Sequence, residues 1–189
     1  MIRIALAGLP GAGKNTFTQS ARHWATHRGH EIEMITLATP LYQAQAAVYQ
    51  IAGKPLDDES VQDGELLNFL GSHLRKINPS VLEEQFLLEL KRISSRGLHT
   101  GRTLVVCTDA RPADFAYLRQ ELFRLVMIDV DPETSRKRRV LRGDLSLGAT
   151  DHVTETGLQP ADADLIIDNN GSLENFDSAV WNLLDGLPT

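Results

Sequence analysis

The residues with the clearest chemistry form a glycine-rich segment that ends in a lysine. Residues 8–16, here called the glycine loop, read Gly-Leu-Pro-Gly-Ala-Gly-Lys-Asn-Thr. They fit the pattern G-x-x-x-x-G-K, with Asn15 in place of the usual Ser or Thr. Glycines let backbone N–H groups converge on phosphate oxygens, a helix N-terminus adds its dipole, and Lys14 adds a point charge. We therefore predict phosphate binding here. A turn that only caps a helix is the alternative.

A carboxylate and an arginine follow an apolar run later in the chain. Asp109 comes directly after residues 103–108, which we interpret as a strand. Ligands of open α/β sheets bind beyond the carboxyl ends of the strands, so Asp109 is predicted to face the glycine loop. There it would help to hold Mg²⁺, and Asn15 is the second candidate metal ligand. The alternative for Asp109 is a cap for a helix that begins near Pro112.

A cluster of cations lies at residues 136–142, which hold five of the nineteen basic residues and no acidic one. On a helix, about 100° per residue places Arg138 and Arg142 on one face and Arg136 and Arg139 on another. Cations around a transferring phosphoryl group are the main catalytic device of such reactions. A solvated basic helix is the alternative. The residues predicted to act in catalysis are Lys14, Asp109, Arg138 and Arg142.

Short apolar runs alternate with helical stretches along the chain. Several runs are apolar at consecutive positions, which is typical of strands buried on both faces. The pattern predicts one α/β domain over residues 1–189, with a mainly parallel five-stranded sheet and right-handed crossovers. The predicted strands are Ile2–Ala7, Glu31–Leu37, Thr103–Thr108, Leu125–Val130 and Leu165–Asp168.

The second and third predicted strands are separated by about sixty residues, whereas a crossover needs about a dozen. We predict three helices in this region, at Leu41–Ile51, Glu65–Ile77 and Ser80–Ile93. One helix would complete the crossover and the others would form an extra layer. This region, about 38–100, is the predicted substrate-binding insert, and residues from about 132 to 160 form the predicted arginine-rich lid.

The glycine loop resembles that of nucleoside monophosphate kinases, in which a threonine comes two residues after the lysine. The chain as a whole is most similar to phage-type deoxynucleoside monophosphate kinases. It departs from that family at Tyr42, where lysine is frequent, and at Asn15, where aspartate is frequent. The similar segments, in order along the chain, are Ala38–Tyr42, Glu65–Ser72, Thr108–Arg111, His152–Glu155 and Ile167–Leu173.

The resemblance implies a P-loop three-layer sandwich that transfers the γ-phosphate of ATP to a (deoxy)nucleoside monophosphate, with Mg²⁺. It makes Arg111 a ligand of the acceptor phosphate, and Arg75 a second candidate. Tyr42 would contact the acceptor base or belong to the core, and Asn169 would lie near adenine or form a turn. The implied ATP ligands are Gly8, Gly11, Ala12, Gly13, Lys14, Asn15, Thr16 and Asn169. The implied acceptor ligands are Tyr42, Arg75, Arg111, Arg136 and Arg139.

Two other functions stay open at this stage. The first is a kinase of another small phosphorylated metabolite, such as dephospho-coenzyme A. The second is a nucleotide-dependent switch that has no acceptor. The long insert and the basic segment favour an enzyme over the switch.

Composition excludes several classes of protein. The net charge of −6 argues against a general nucleic-acid binder, and the resemblance implies small-molecule nucleotides as partners. The single cysteine, Cys107, excludes an intrachain disulfide, and its apolar neighbours predict a core position. No apolar stretch approaches the roughly 18–20 residues of a membrane span, so a cytoplasmic protein without membrane contacts is expected. An apolar-rich insert leaves a homodimer open.

Overall fold

A computed structural model describes residues 1–57, 61–97, 102–142 and 159–188 of the 189-residue chain. Its strands follow the predicted runs closely, and the second strand ends two residues early. The backbone N–H of Leu37 bonds the Asp109 carboxylate, so this residue has left the ladder. The strands are β1 (Ile2–Ala7), β2 (Glu31–Ile35), β3 (Thr103–Cys107), β4 (Arg124–Asp129) and β5 (Leu165–Asp168).

The five strands form one sheet in the order β2-β3-β1-β4-β5, and every pairing is parallel. The first strand is central, with Ile4 opposite Val106 on one side and Arg124 on the other. The α/β fold with a five-stranded parallel sheet is therefore confirmed. Because all strands run the same way, the segments that follow them meet at one edge of the sheet.

Side chains on the two faces of the sheet enter two separate cores. Ile4 and Leu6 pack with the helices on one face, while Ala5 and Cys107 pack with those on the other. This alternation follows from the period of two in a strand. It produces the predicted three layers and confirms the core position of Cys107.

Seven α-helices lie in the part of the chain that the structure describes. The three predicted in the insert are present, with bounds shifted by a few residues. The helices are α1 (Lys14–Arg28), α2 (Thr39–Ile51), α3 (Gly64–Ile77), α4 (Val81–Gly97), α5 (Phe115–Gln120), α6 (Pro132–Arg142) and α7 (Leu173–Asp185).

Within the insert, α4 completes the crossover and α2 and α3 form the additional layer. Leu82, Phe86 and Leu90 of α4 are buried in the core against the sheet. Ile77, at the end of α3, is 71% exposed and lies outside the core.

The basic segment forms α6, which starts just after β4. The predicted lid continues through residues 143–158, including His152 and Glu155, and these residues lie outside the described part of the chain. Among the described residues, no helix is long and apolar enough to cross a bilayer.

Candidate functional site

The glycine loop joins the central strand β1 to α1 and presents the start of that helix. Gly13 occupies the N-cap position with φ 107°, and the first turn holds no acidic residue. Asn15 is exposed and Thr16 is half-buried in this turn. Gly13 therefore has no side chain to cap the N–H groups at the positive end of the α1 dipole, and the first turn has no carboxylate that would repel an anion. Both features favour anion binding.

Two glycines of the loop are required by close backbone approach. Gly11 has φ +83°, and a Cβ there would lie 2.8 Å from the carbonyl oxygen of Ser135. At Gly13 a Cβ would overlap the side-chain nitrogen of Asn169. Both positions combine left-handed backbone with contacts from distant elements, so an L side chain would strain the loop.

Helix α6 packs directly on the glycine loop. The hydroxyl of Ser135 donates to the carbonyl of Pro10 at 2.6 Å, and Ser135 is buried. Arg139, one turn later, is 8% exposed and its Cγ would lie 3.0 Å from a Cβ at Gly11. The sequence analysis did not find Ser135, although its spacing of four residues from Arg139 identifies it once the inward face is known.

The structure changes how the α6 arginines are divided between faces. Arg136 is exposed and lines a surface groove with Val140, whereas Arg139 faces the glycine loop. Pairing Arg136 with Arg139 on one face is therefore wrong, because the inward face is centred on Ser135. The backbone of Arg142 lies in α6, and its side chain is outside the described set.

Arg138 reaches from α6 to the end of β5. Its Nη2 donates to the carbonyl of Asn169 at 3.0 Å. Its Nη1 is buried and has no hydrogen-bond partner among the described residues. A buried guanidinium nitrogen without an acceptor is costly, so the arrangement suits an anionic ligand beside the loop.

Asn169 supports the loop through its side chain. The amide nitrogen donates to the carbonyl of Ala12 at 2.6 Å, and the residue is 5% exposed. Asn169 thus ties the end of β5 to the glycine loop and is more than a turn residue. Its predicted contact with adenine stays a prediction.

Lys14 folds over the loop that precedes it. Its Nζ donates to the carbonyls of Gly8 at 2.8 Å and Leu9 at 3.2 Å. These bonds hold the ammonium group at the mouth of the loop, where the first turn of α1 begins. This is where the sequence places the charge for a phosphate.

The Asp109 carboxylate is engaged by the chain that leads into α2. Its Oδ1 accepts from the backbone of Leu37 at 3.1 Å, and its Oδ2 accepts from Ala38 at 2.9 Å. The thiol of Cys107 also donates to Oδ1 at 3.5 Å, and burial raises the pKa of that thiol. Asp109 therefore braces the entry to the insert, and its alternative role as a cap near Pro112 is wrong.

A second group of polar side chains lies where the insert meets the end of β3. Burial raises the pKa of Tyr42, with the Asp109 charge adding to the shift and Arg111 opposing it. Arg75 of α3 forms an ion pair with Asp114 at 3.5 Å, and the backbone N–H of Arg111 donates to the same carboxylate at 3.2 Å. The structure thus brings Tyr42, Arg75 and Arg111 to the same region, and their contact with an acceptor stays a prediction.

Asp114 is a functional candidate that sequence reasoning missed. It lies in a short 3₁₀ turn, Pro112–Asp114, and is 5% exposed. Its spacing of three residues after Arg111 is the only signal in the sequence, and that spacing is common in capped turns. Its partner Arg75 is 39 positions away, so the pair is visible only in the fold.

Residues 61–63, which precede α3, are held beside Tyr42. The buried amide of Gln45 bonds the carbonyl of Val61 and the N–H of Asp63, both at 2.9 Å. Gln62, which lies between them, donates to the Tyr42 hydroxyl at 3.2 Å. The insert therefore offers a hydroxyl and an exposed amide next to the arginines.

The residues present suit Mg²⁺ only when phosphate oxygens supply most of its ligands. Among the described residues, no three His, Cys, Asp or Glu side chains form a metal group. Mg²⁺ commonly uses one or two carboxylates, waters and substrate phosphates. Asp109 Oδ2 accepts one backbone N–H and keeps a lone pair for such a shell. The donor set fits that mode.

Comparison with known proteins shows which fold this chain shares. No protein-family model and no curated protein matches the sequence. Three solved structures are similar over nearly all of the chain. TT1252 from Thermus thermophilus has 22% identity and a TM-score of 0.55, with 100% of this chain and 98% of that one covered. Dephospho-CoA kinase from Campylobacter jejuni has 17% identity and a TM-score of 0.51, with 97% and 95% covered.

The third is shikimate kinase from Acinetobacter baumannii in complex with shikimate, with 17% identity, a TM-score of 0.51 and 98% and 92% covered. The fold is that of P-loop kinases. Identities this low show a shared fold and do not identify a substrate.

Proposed function

We propose that this protein is an ATP-dependent kinase whose acceptor is a small phosphorylated metabolite, in the first instance a (deoxy)nucleoside monophosphate. The proposal is carried by one observation, the presence of two groups of cations at the same edge of the sheet. The first, Lys14 with Arg138 and Arg139, surrounds the glycine loop. The second, Arg75 with Arg111, lies at the end of β3 beside Tyr42.

Two anion sites at one edge suit transfer between two phosphorylated molecules. The glycine loop and the α1 N-terminus would hold the donor triphosphate, with Lys14 on its outer phosphates. Arg138 would stabilise charge on the transferring group through its unpartnered Nη1. Arg75 and Arg111 would hold the acceptor phosphate in line, and Tyr42 with Gln62 would contact its base. We propose Arg142 as a further catalytic cation on the same face of α6.

Mg²⁺, when bound, would neutralise charge on the phosphates of ATP. Asp109 and the side chains of Asn15 and Thr16 are the residues that would complete its shell. Asp109 has a second task in any case, since its two backbone bonds keep the start of the insert against β3.

A second acceptor class is supported by similarity. The fold matches a dephospho-CoA kinase about as well as it matches the other kinases. In both acceptor classes the substrate is anionic, which the pair Arg75 and Arg111 suits. The nucleotide-dependent switch is less well supported, because a switch gives no reason for a second cation pair.

The test is ADP release from ATP and Mg²⁺ with a panel of acceptors. The panel contains ribo- and deoxynucleoside monophosphates, modified pyrimidine monophosphates, dephospho-coenzyme A, and uncharged nucleosides as controls. We expect at least one phosphorylated acceptor to raise ADP release far above the acceptor-free rate. Equal, slow hydrolysis with every addition would favour the switch and refute the proposal.

A further inference from the structure

The buried carboxylate of Asp114 contacts two parts of the molecule at once. Oδ2 accepts the backbone N–H of Arg111 at 3.2 Å, at the exit of β3. Oδ1 faces the Nη2 of Arg75 at 3.5 Å, on the helical layer of the insert. The carboxylate side chain is 8% exposed, whereas that of Arg75 is 39% exposed. A single buried group therefore holds the two arginines of the acceptor side.

The buried surroundings of Asp114 disfavour the charged form of its carboxylate. Burial raises the pKa of Asp114, the nearby Asp109 charge raises it further, and Arg75 and the Arg111 N–H oppose the shift. A buried carboxylate that is stabilised by few partners contributes little to folding. A neutral residue would cap the 3₁₀ turn as well, so capping alone does not explain the charge.

We propose that Asp114 is a positioning residue, whose carboxylate fixes the Arg75 guanidinium relative to Arg111 so that both receive one anionic group of the acceptor. This rests on the proposed function for the identity of that group. Asp114 acts through Arg75 and has no contact of its own with substrate. An arginine side chain has many rotamers, so fixing it in advance lowers the entropy cost of binding.

The chain contains a matched control at the opposite edge of the sheet. Asp164 Oδ2 accepts the backbone N–H of Leu125 at 2.7 Å, and its Oδ1 pairs with Arg119 at 3.3 Å. Asp164 has the same kinds of partner as Asp114, but its side chain is 38% exposed, and it precedes β5, away from the glycine loop. Its substitution therefore shows what the loss of an arginine–carboxylate pair does outside the site.

The experiment compares Asp114→Asn, Arg75→Gln, the double variant and Asp164→Asn, each checked by thermal unfolding. With the best acceptor from the panel, we expect Asp114→Asn to raise the acceptor KM roughly tenfold, with kcat and the KM for ATP within about twofold. Arg75→Gln should do the same, and the double variant should be no worse than Arg75→Gln alone. Asp164→Asn should leave all three parameters unchanged.

A second readout needs no turnover. ¹⁵N relaxation of the Arg75 Nε–H reports how rigidly the guanidinium is held, and we expect its order parameter to fall in Asp114→Asn. An unchanged order parameter overturns the proposal, as does an unchanged acceptor KM or an additive double variant in an active enzyme. If the wild type phosphorylates no acceptor, the proposed function fails, and the Arg75 order parameter alone then decides the positioning role.

Discussion

The two sides of the site are built by different means. On the donor side, the glycine loop is enclosed by backbone and buried side chains: α6 touches it through Ser135, and Asn169 bonds Ala12 from the end of β5. On the acceptor side, the insert is joined to the end of β3 through polar side chains, such as the half-exposed Arg75 with the buried Asp114. One side is packed closely and the other is linked by a few polar contacts.

This difference suits what each side would recognise under the proposed function. A triphosphate always presents the same oxygens, so a closely packed binding loop suits it. An acceptor differs between kinases of the same fold, and polar side chains on an extra helical layer change without disturbing the sheet. Substitution of the loop glycines on the donor side should therefore affect folding as well as chemistry, whereas substitution of polar side chains on the acceptor side should affect chemistry alone.

The largest effect is expected at the donor side, from Lys14→Ala. Loss of the ammonium charge should lower phosphotransfer by on the order of 10³-fold or more, with the fold intact, because Lys14 bonds loop carbonyls and fills no core. Steady-state ADP release measures this. The matched control is Lys91→Ala on the exposed face of α4, which should be silent. Substantial residual turnover in Lys14→Ala would remove the glycine loop from the mechanism.

The second prediction divides the faces of α6. Arg138→Ala should lower kcat by roughly 10²–10³-fold, because its buried Nη1 has no hydrogen-bond partner among the described residues and would be available to the transferring phosphoryl group. Arg136→Ala should change kcat less than about threefold, since an exposed arginine contributes under about 1 kcal/mol. Single-turnover rates measure both. If the two variants are equally affected, the inward face of α6 is not catalytic.

A third prediction uses two glycines to compare the packing of the two sides. Gly11→Ala should lower the free energy of unfolding by roughly 2–4 kcal/mol, because the new Cβ meets the Ser135 carbonyl at positive φ. Gly71→Ala, inside α3, should raise it by up to about 1 kcal/mol, since its Cβ would meet Leu41 at an ordinary 3.5 Å. Urea unfolding measures both. A destabilising Gly71→Ala would show that the acceptor side is also tightly packed.

The smallest effect concerns pH and the insert. The Leu66 N–H and the Tyr49 hydroxyl bond the Asp63 carboxylate and lower its pKa. Asp63 therefore stabilises the fold above its unfolded value of 3.8, and this is lost as the pH falls through the lowered folded value. Asp63→Asn keeps a side chain that can cap α3. It should reduce the loss of folding stability at low pH by about 0.5 kcal/mol, a value that allows for solvent screening.

Thermal unfolding between pH 3 and pH 7 tests this. Asp57→Asn, in the exposed segment after α2, is the control and should follow the wild type. An acid loss that is the same in Asp63→Asn and the wild type would contradict the role of Asp63.

The sequence predicts the parts of the fold that are encoded locally. Consecutive apolar residues in β3 and β4 identify buried strands, and the glycines before Lys14 identify the loop. Contacts between distant residues could not be predicted. The Asn169 bond to Ala12 joins residues 157 positions apart, and the bonds of Asp109 to Leu37 and Ala38 span 72 and 71 positions.

The arginines of α6 show the same limit. Helical spacing predicts which of them share a face, but not which face packs inward. That choice is made by the fit of Ser135 against Pro10, 125 positions earlier in the chain. Spacing predicted the set of cations, and only the fold could assign their directions.

The central position of β1 has a consequence for how the chain reaches its fold. Residues 2–7 pair with residues 104–107 on one side and 124–127 on the other, so no neighbour of the first strand is near it in sequence. Two-state proteins dominated by such distant pairings fold slowly. During synthesis, β1 emerges before both of its partner strands and stays without one until more than a hundred residues have followed. The apolar segment before the glycine loop is therefore exposed throughout that interval. It is then most prone to aggregation and most accessible to chaperones.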